Sequence, residues 1–162
     1  MPAKKRTLTA EDLYQIELIS GARLSPDGAH VVYTQHRVDR KTEKKYANLW
    51  VVPTDGGAPR QFTYGDQTDR APEWSPDGRE IAFLSTRGNA DKPAQIYLIP
   101  FSGGEARPLT DIKGSIGSFV WSPDGVKLAL TVRKTDEEVL AREKDEQKKK
   151  LGVVARHYDR VL

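Results

Sequence analysis

Apolar positions in this chain cluster in short runs bounded by polar turn residues. "VVYTQ" from Val31, "IAFLS" from Ile81 and "LALTV" from Leu128 are compact runs of this kind, long enough for a strand and too short for a helix. Each follows the same tetrapeptide: Ser25-Pro26-Asp27-Gly28, Ser75-Pro76-Asp77-Gly78 and Ser122-Pro123-Asp124-Gly125. The starts of the three tetrapeptides are spaced by 50 and then 47 residues. "LWVVPTDGGAPRQFT" from Leu49 matches "IYLIPFSGGEARPLT" from Ile96 at the same offset of 47. A fixed period of this size is the mark of a repeat architecture.

The residue types within one period predict strands. Pro26, Pro76 and Pro123 stand second in a four-residue turn, where a fixed φ near −65° is already suitable. The aspartate at the third position can accept from nearby backbone N–H groups, and the glycine at the fourth can take positive φ. Such a turn joins two antiparallel strands, "APEWSP" entering and "EIAFLST" leaving. "QIYLIP" supplies a third strand and, beyond a Gly-Gly turn, "ARPLT" a fourth. A four-stranded antiparallel sheet repeated at this interval is the blade of a β-propeller. The expected fold is therefore all-β: a partial propeller with blade 1 at residues 21–69, blade 2 at 70–116 and the start of blade 3 at 117–133.

Two segments break the repeat. In "LTAEDLYQIELIS", Thr9 suits an N-cap and Leu13, Ile16 and Ile19 stand near helical spacing, so residues 1–20 are expected to hold a short lead-in helix. Residues 134–162 read as a charged helical insertion followed by the start of a further strand. Thr135 with Glu138 forms a capping-box pair, and Glu138–Arg142 and Glu146–Lys150 are favourable pairs four residues apart. Between Leu140 and Leu151 only Ala141 is apolar, so this helix has almost no face to bury.

Composition narrows the function classes. Of 162 residues, 26 are basic and 23 acidic, a net charge of +3 that gives no argument for a nucleic-acid or membrane partner. There is no cysteine, which removes disulfides and thiolate chemistry. The basic start "MPAKKRTLTA" is not followed by an apolar stretch, so no export signal is expected and the expected compartment is the cytoplasm. Closing a propeller takes at least about four blades, or roughly 190 residues of this period. The chain therefore reads as an open fragment of a longer protein, with completion by self-association as the alternative.

The lead-in "LTAEDLYQIELIS" running into "GARLSPDGAHVVYT" resembles the start of the prolyl-oligopeptidase family of serine peptidases, most closely its acylaminoacyl-peptidase-like branch. "APEWSPDGREIAFLSTR", "FVWSPDGVKLALTVR" and the charged stretch before "ARHYDRVL" extend the likeness over nearly the whole chain. WSPDG itself is shared with TolB-like propellers. The resemblance implies an N-terminal propeller that screens peptides on their way to a C-terminal α/β-hydrolase domain bearing a Ser-Asp-His triad, its serine on a G-x-S-x-G elbow. No such elbow occurs here; the nearest string, "GSIGS" from Gly114, has serine second and fifth. No catalytic residue can be carried over, and the chain alone is expected to be inactive. The rival readings are a TolB-like protein-interaction propeller and a self-sufficient module that closes by oligomerising.

The remaining chemistry-bearing residues favour structural roles. His30, His36 and His157 share no metal-ligand spacing. Asp27, Asp77 and Asp124 lack the alternating carboxylates of a calcium loop. Gly56-Gly57 and Gly103-Gly104 suit hairpins rather than phosphate loops, because no G-K-[ST] follows. Trp74 and Trp121 stand at equivalent repeat positions, as packing residues between blades would. No catalytic, cofactor or metal residues are expected in this chain. "RVDRKTEKKY" from Arg37 is the extra loop that lengthens the first period to 50.

Overall fold

A computed structural model describes residue 7, residues 9–88 and residues 91–134. The pairs expected at Thr135–Lys150, and His157, lie outside the described residues. Ten strands occur among those described: β1 (Leu18–Leu24), β2 (His30–Val38), β3 (Lys45–Pro53), β4 (Arg60–Gln61), β5 (Asp69–Trp74), β6 (Glu80–Ser85), β7 (Gln95–Pro100), β8 (Arg107–Pro108), β9 (Gly114–Trp121) and β10 (Leu128–Lys134). They form two four-stranded antiparallel sheets, β1-β2-β3-β4 and β5-β6-β7-β8, and a two-stranded sheet of β9 and β10. These are two full propeller blades and the beginning of a third. β1 begins at Leu18, inside the stretch assigned to the lead-in.

The lead-in differs from its expectation. Among the described residues of the lead-in, only Ala10–Gln15 is helical, as a 3₁₀ segment, with the Thr9 N–H donating to the Asp12 carboxylate at 2.7 Å. Ile19 belongs to β1, where it pairs with Gln35 of β2. The helical spacing of Leu13, Ile16 and Ile19 is outweighed by the ladder that β2 offers, because each β1 residue that joins it satisfies backbone groups. Leu13 stays 62% exposed, so this short helix buries no apolar stripe.

The core lies between the blades. Val32, Leu49 and Val51 of blade 1 pack against Trp74, Ile81 and Phe83 of blade 2. Ala82, Leu84, Ile96 and Leu98, on the other face of blade 2, pack against Ile116 and Phe119 of β9. β6 is thus buried on both faces, which is why "IAFLS" is a continuous apolar run with no alternation. Each large side chain so buried contributes about 1.5–3 kcal/mol. β1, by contrast, is exposed along its whole length, as the inner strand of a ring left open.

The inner strands meet at matched bulges. The register shifts between Ser20 and Arg23 in β1 and between Arg70 and Glu73 in β5. Gly21 has φ 61° in the first bulge and Ala71 has φ 52° in the second, 50 positions on. A Cβ added to Gly21 would lie 3.4 Å from Pro72 Cδ, so the two bulges touch across the blade boundary.

Candidate functional site

The three repeated turns share one hydrogen-bond pattern. In the second, Ser75 Oγ donates to Asp77 Oδ1 at 2.6 Å and accepts from the Glu80 N–H at 2.9 Å. Asp77 Oδ1 also accepts from the Arg79 N–H at 3.1 Å, and the Gly78 N–H closes the turn on the Ser75 carbonyl at 2.9 Å. Ser25–Asp27 and Ser122–Asp124 repeat the arrangement, with Ala29 and Val126 supplying the N–H to the aspartate. The seryl hydroxyl first, and the backbone N–H second, hold all three aspartates below the ordinary carboxylate pKa. Gly28, Gly78 and Gly125 have φ of 73°, 71° and 71°, the left-handed region that glycine enters without cost.

The turns also stack. Pro26 Cδ lies 3.7 Å from where a Cβ on Gly78 would stand, and Pro76 Cδ lies 3.4 Å from the corresponding point on Gly125. The turns therefore run in a row along one end of the blades, each aspartate facing its own loop. Among the described residues, no group of three or more His, Asp or Glu side chains is placed to hold a metal ion.

The other sequence candidates are scattered. The His30 ring meets Phe101 edge-on at 5.0 Å. "GSIGS" lies in β9, a strand with no elbow in it. Trp74 Nε1–H donates to the Arg23 carbonyl at 3.0 Å, while Trp121 Nε1 is buried and has no hydrogen-bond partner among the described residues. Gly56-Gly57 lies in the β3–β4 hairpin and Gly103-Gly104 in the β7–β8 hairpin.

Two constellations escaped the sequence reading. Asp69, fully buried, accepts from Ser85 Oγ at 2.6 Å and from Arg87 Nη2 at 2.6 Å, while the guanidinium lies over the Phe83 and Tyr97 rings. Asp69 and Ser85 are register partners, a relation the sequence would have yielded only with the β5–β6 pairing in hand. The second is Ser20 Oγ, 2.8 Å from His36 Nε2 across β1 and β2. A bonded hydroxyl and imidazole are two parts of a nucleophilic relay. Among the described residues no carboxylate hydrogen-bonds His36.

This pair lines a groove of about 480 Å³ at the end of blade 1 remote from the repeated turns. Ile16, Leu18, Ile19 and Val38 make it mainly apolar, and Lys45 stands at its rim. A smaller hollow of about 260 Å³ lies between Tyr64 of blade 1 and Arg87 and Glu105 of blade 2.

Comparison with known proteins decides the family. The TolB β-propeller domain profile, PD40, matches residues 7–158. The chain belongs to this family. It is 37% identical over 83 residues to the uncharacterized peptidase YuxL of Bacillus subtilis, a match spanning 51% of this chain and 13% of that protein. The acylaminoacyl peptidase of Pyrococcus horikoshii superposes with a TM-score of 0.62 at 24% identity, covering 78% of this chain and 19% of that one. The putative TolB of Agrobacterium tumefaciens gives a TM-score of 0.57 at 25% identity, covering 75% of this chain and 40% of that one. The chain thus spans a minor part of each relative's length. This PD40 propeller segment is of a kind found in peptidases and in TolB-type proteins alike. Among its described residues, no helix is long and apolar enough to cross a membrane.

Proposed function

We propose that this segment is the non-catalytic propeller portion of a serine peptidase of the prolyl oligopeptidase family. In that role it screens short or acylated peptides on their way to an α/β-hydrolase domain of the same longer protein, in the cytoplasm. The observation that carries the reading is the 37% identity to a peptidase of which the match spans only 13%. The scattered histidines and the incomplete Ser20–His36 relay support a role without chemistry of its own.

The test compares residues 1–162 with a product extended past Leu162 into a G-x-S-x-G domain. The short chain is expected to leave acyl-peptide and dipeptidyl chromogenic substrates intact and to remain unlabelled by a fluorophosphonate serine probe. The extended product is expected to cleave short peptides and to spare folded proteins. Labelling of the short chain at one serine, lost on changing one histidine, would overturn the reading.

A second reading rests on the TolB likeness at 25% identity: a propeller that binds another protein and serves no enzyme. An extension past Leu162 that completes further blades and carries no hydrolase would decide for it.

A further inference from the structure

The groove at the end of blade 1 is built on an open sheet edge. β1 is the terminal strand of its sheet, and no strand pairs with the outer edge of Leu18–Ser20 among the described residues. An edge of this kind presents unpaired backbone donors and acceptors to any extended chain laid along it. Leu18 and Ile19 remain 62% and 63% exposed beside it, and Ile16 is 47% exposed. Backbone pairing and apolar anchoring are therefore offered at one place.

The rim supplies the charge. Val38 pairs with Lys45 at the base of the β2–β3 hairpin, whose residues 37–45 include Arg37, Arg40, Lys41, Lys44 and Lys45 against Asp39 and Glu43. Asp39 is turned into the loop, where its carboxylate accepts from the Lys41 N–H at 3.0 Å and from the Thr42 N–H and hydroxyl, each at 2.8 Å. Arg37 is paired with Asp66 at 2.6 Å, and Arg40 lies over the Tyr14 ring. Lys41, Lys44 and Lys45 are exposed and in no ion pair among the described residues. The loop that stretches the first repeat thus holds Asp39 inward and leaves its lysines exposed, with Lys45 lining the apolar groove itself.

We propose that this groove docks an extended acidic peptide, an apolar side chain seated on Leu18 and Val38 and its carboxylates facing Lys41, Lys44 and Lys45. The inference deepens the peptide-screening reading and rests on it, because it names the chemical class of peptide that the propeller retains. The hairpin is the selective element: it favours acidic sequences and repels basic ones.

The experiment measures fluorescence anisotropy on the whole 162-residue chain, with a fluorescein-labelled octapeptide of alternating leucine and glutamate. The companion probe has lysine in place of each glutamate. The glutamate peptide is expected to bind and the lysine peptide to fail. Lys41→Glu with Lys45→Glu is expected to weaken binding about tenfold or more, and added salt to weaken it further. Leu18→Asp is expected to abolish it, while Lys44→Glu, where the loop closes on the Asp39 N–H, is expected to weaken it by a smaller factor than the double change. Circular dichroism melts confirm that each variant is folded. Equal binding of both peptides, indifference to the lysine changes, or no binding to the parent chain would overturn the proposal. So would concentration-dependent sedimentation abolished by Leu18→Asp, since a second copy of the chain would then be the occupant. The screening role is read separately, from the size cut-off of the extended product, so either can fail alone.

Discussion

Trp74 of blade 2 donates its indole N–H to the backbone carbonyl of Arg23 in blade 1, at 3.0 Å, and the Arg23 side chain returns to Glu73 at 2.8 Å. Both interactions cross the same boundary. Trp121, the repeat equivalent of Trp74, makes no such bond among the described residues although its Nε1 is buried. The two tryptophans therefore stand in different energetic positions despite identical pentapeptides. Trp74→Phe is expected to cost about 1–3 kcal/mol, because it also leaves a carbonyl without its donor. Trp121→Phe is expected to be neutral or slightly stabilising, since it removes an unsatisfied N–H. Urea melts of the two variants check the contrast.

Gly78 has φ 71°, and Pro26 Cδ lies 3.7 Å from its missing Cβ. Gly78→Val is expected to destabilise by about 1–3 kcal/mol, since a β-branched residue resists this region. Gly78→Asn is expected to cost less, because asparagine visits it more readily. Equal thermal melts for the two variants would contradict the turn's role in the blade.

The buried Asp69 makes blade 2 sensitive to Arg87, its charged partner among the described residues. Arg87→Ala leaves the carboxylate enclosed with Ser85 and Gln67, and is expected to cost about 3–5 kcal/mol. Asp69→Leu combined with Arg87→Met removes both charges and is expected to recover much of that loss. A denaturant titration of the single and double variants measures the difference.

Acid is expected to loosen the turns in a defined direction. The carboxyl groups of Asp27, Asp77 and Asp124 are held below their ordinary value of 3.8 in the folded chain. Protonation therefore favours the unfolded chain. The stabilisation is complete above that ordinary value and is lost as pH falls through it toward the lower folded value. Ser75→Ala removes the largest cause of the shift at Asp77 and is expected to flatten the pH dependence of the melting temperature below about pH 4.

Much of the architecture was legible because its punctuation is chemical. Three Ser-Pro-Asp-Gly turns and the aligned Gly-Gly hairpins name their own geometry, and the four-strand order follows from their spacing. The lead-in was legible only in part. Ile19 fits a helical pattern as well as a strand, and only the presence of β2 chooses between them. The Ser20–His36 contact depends on a bulge that shifts register between Ser20 and Arg23, and the equivalent bulge in blade 2 puts φ 52° on Ala71, a residue that seldom takes it. The groove was hidden for a related reason: its lining comes from three strands whose alignment must be known before Leu18 and Lys45 can be placed together. The hairpin loop was visible as an excess of residues, but the inward turn of Asp39 that leaves the lysines exposed was not.

The stacked prolines set an order of assembly. Pro26 meets the turn of the next blade at Gly78, and Pro76 meets the one after that at Gly125, so the second and third turns each rest on a surface contributed by the repeat made before. During synthesis the earlier blade emerges first and stands ready as a template. Nearest-neighbour coupling of this kind lets folding advance along the chain in register with translation, without waiting for a distant segment to return. A chain released after Leu109 should accordingly already protect the backbone amides of β2 and β6 from hydrogen exchange.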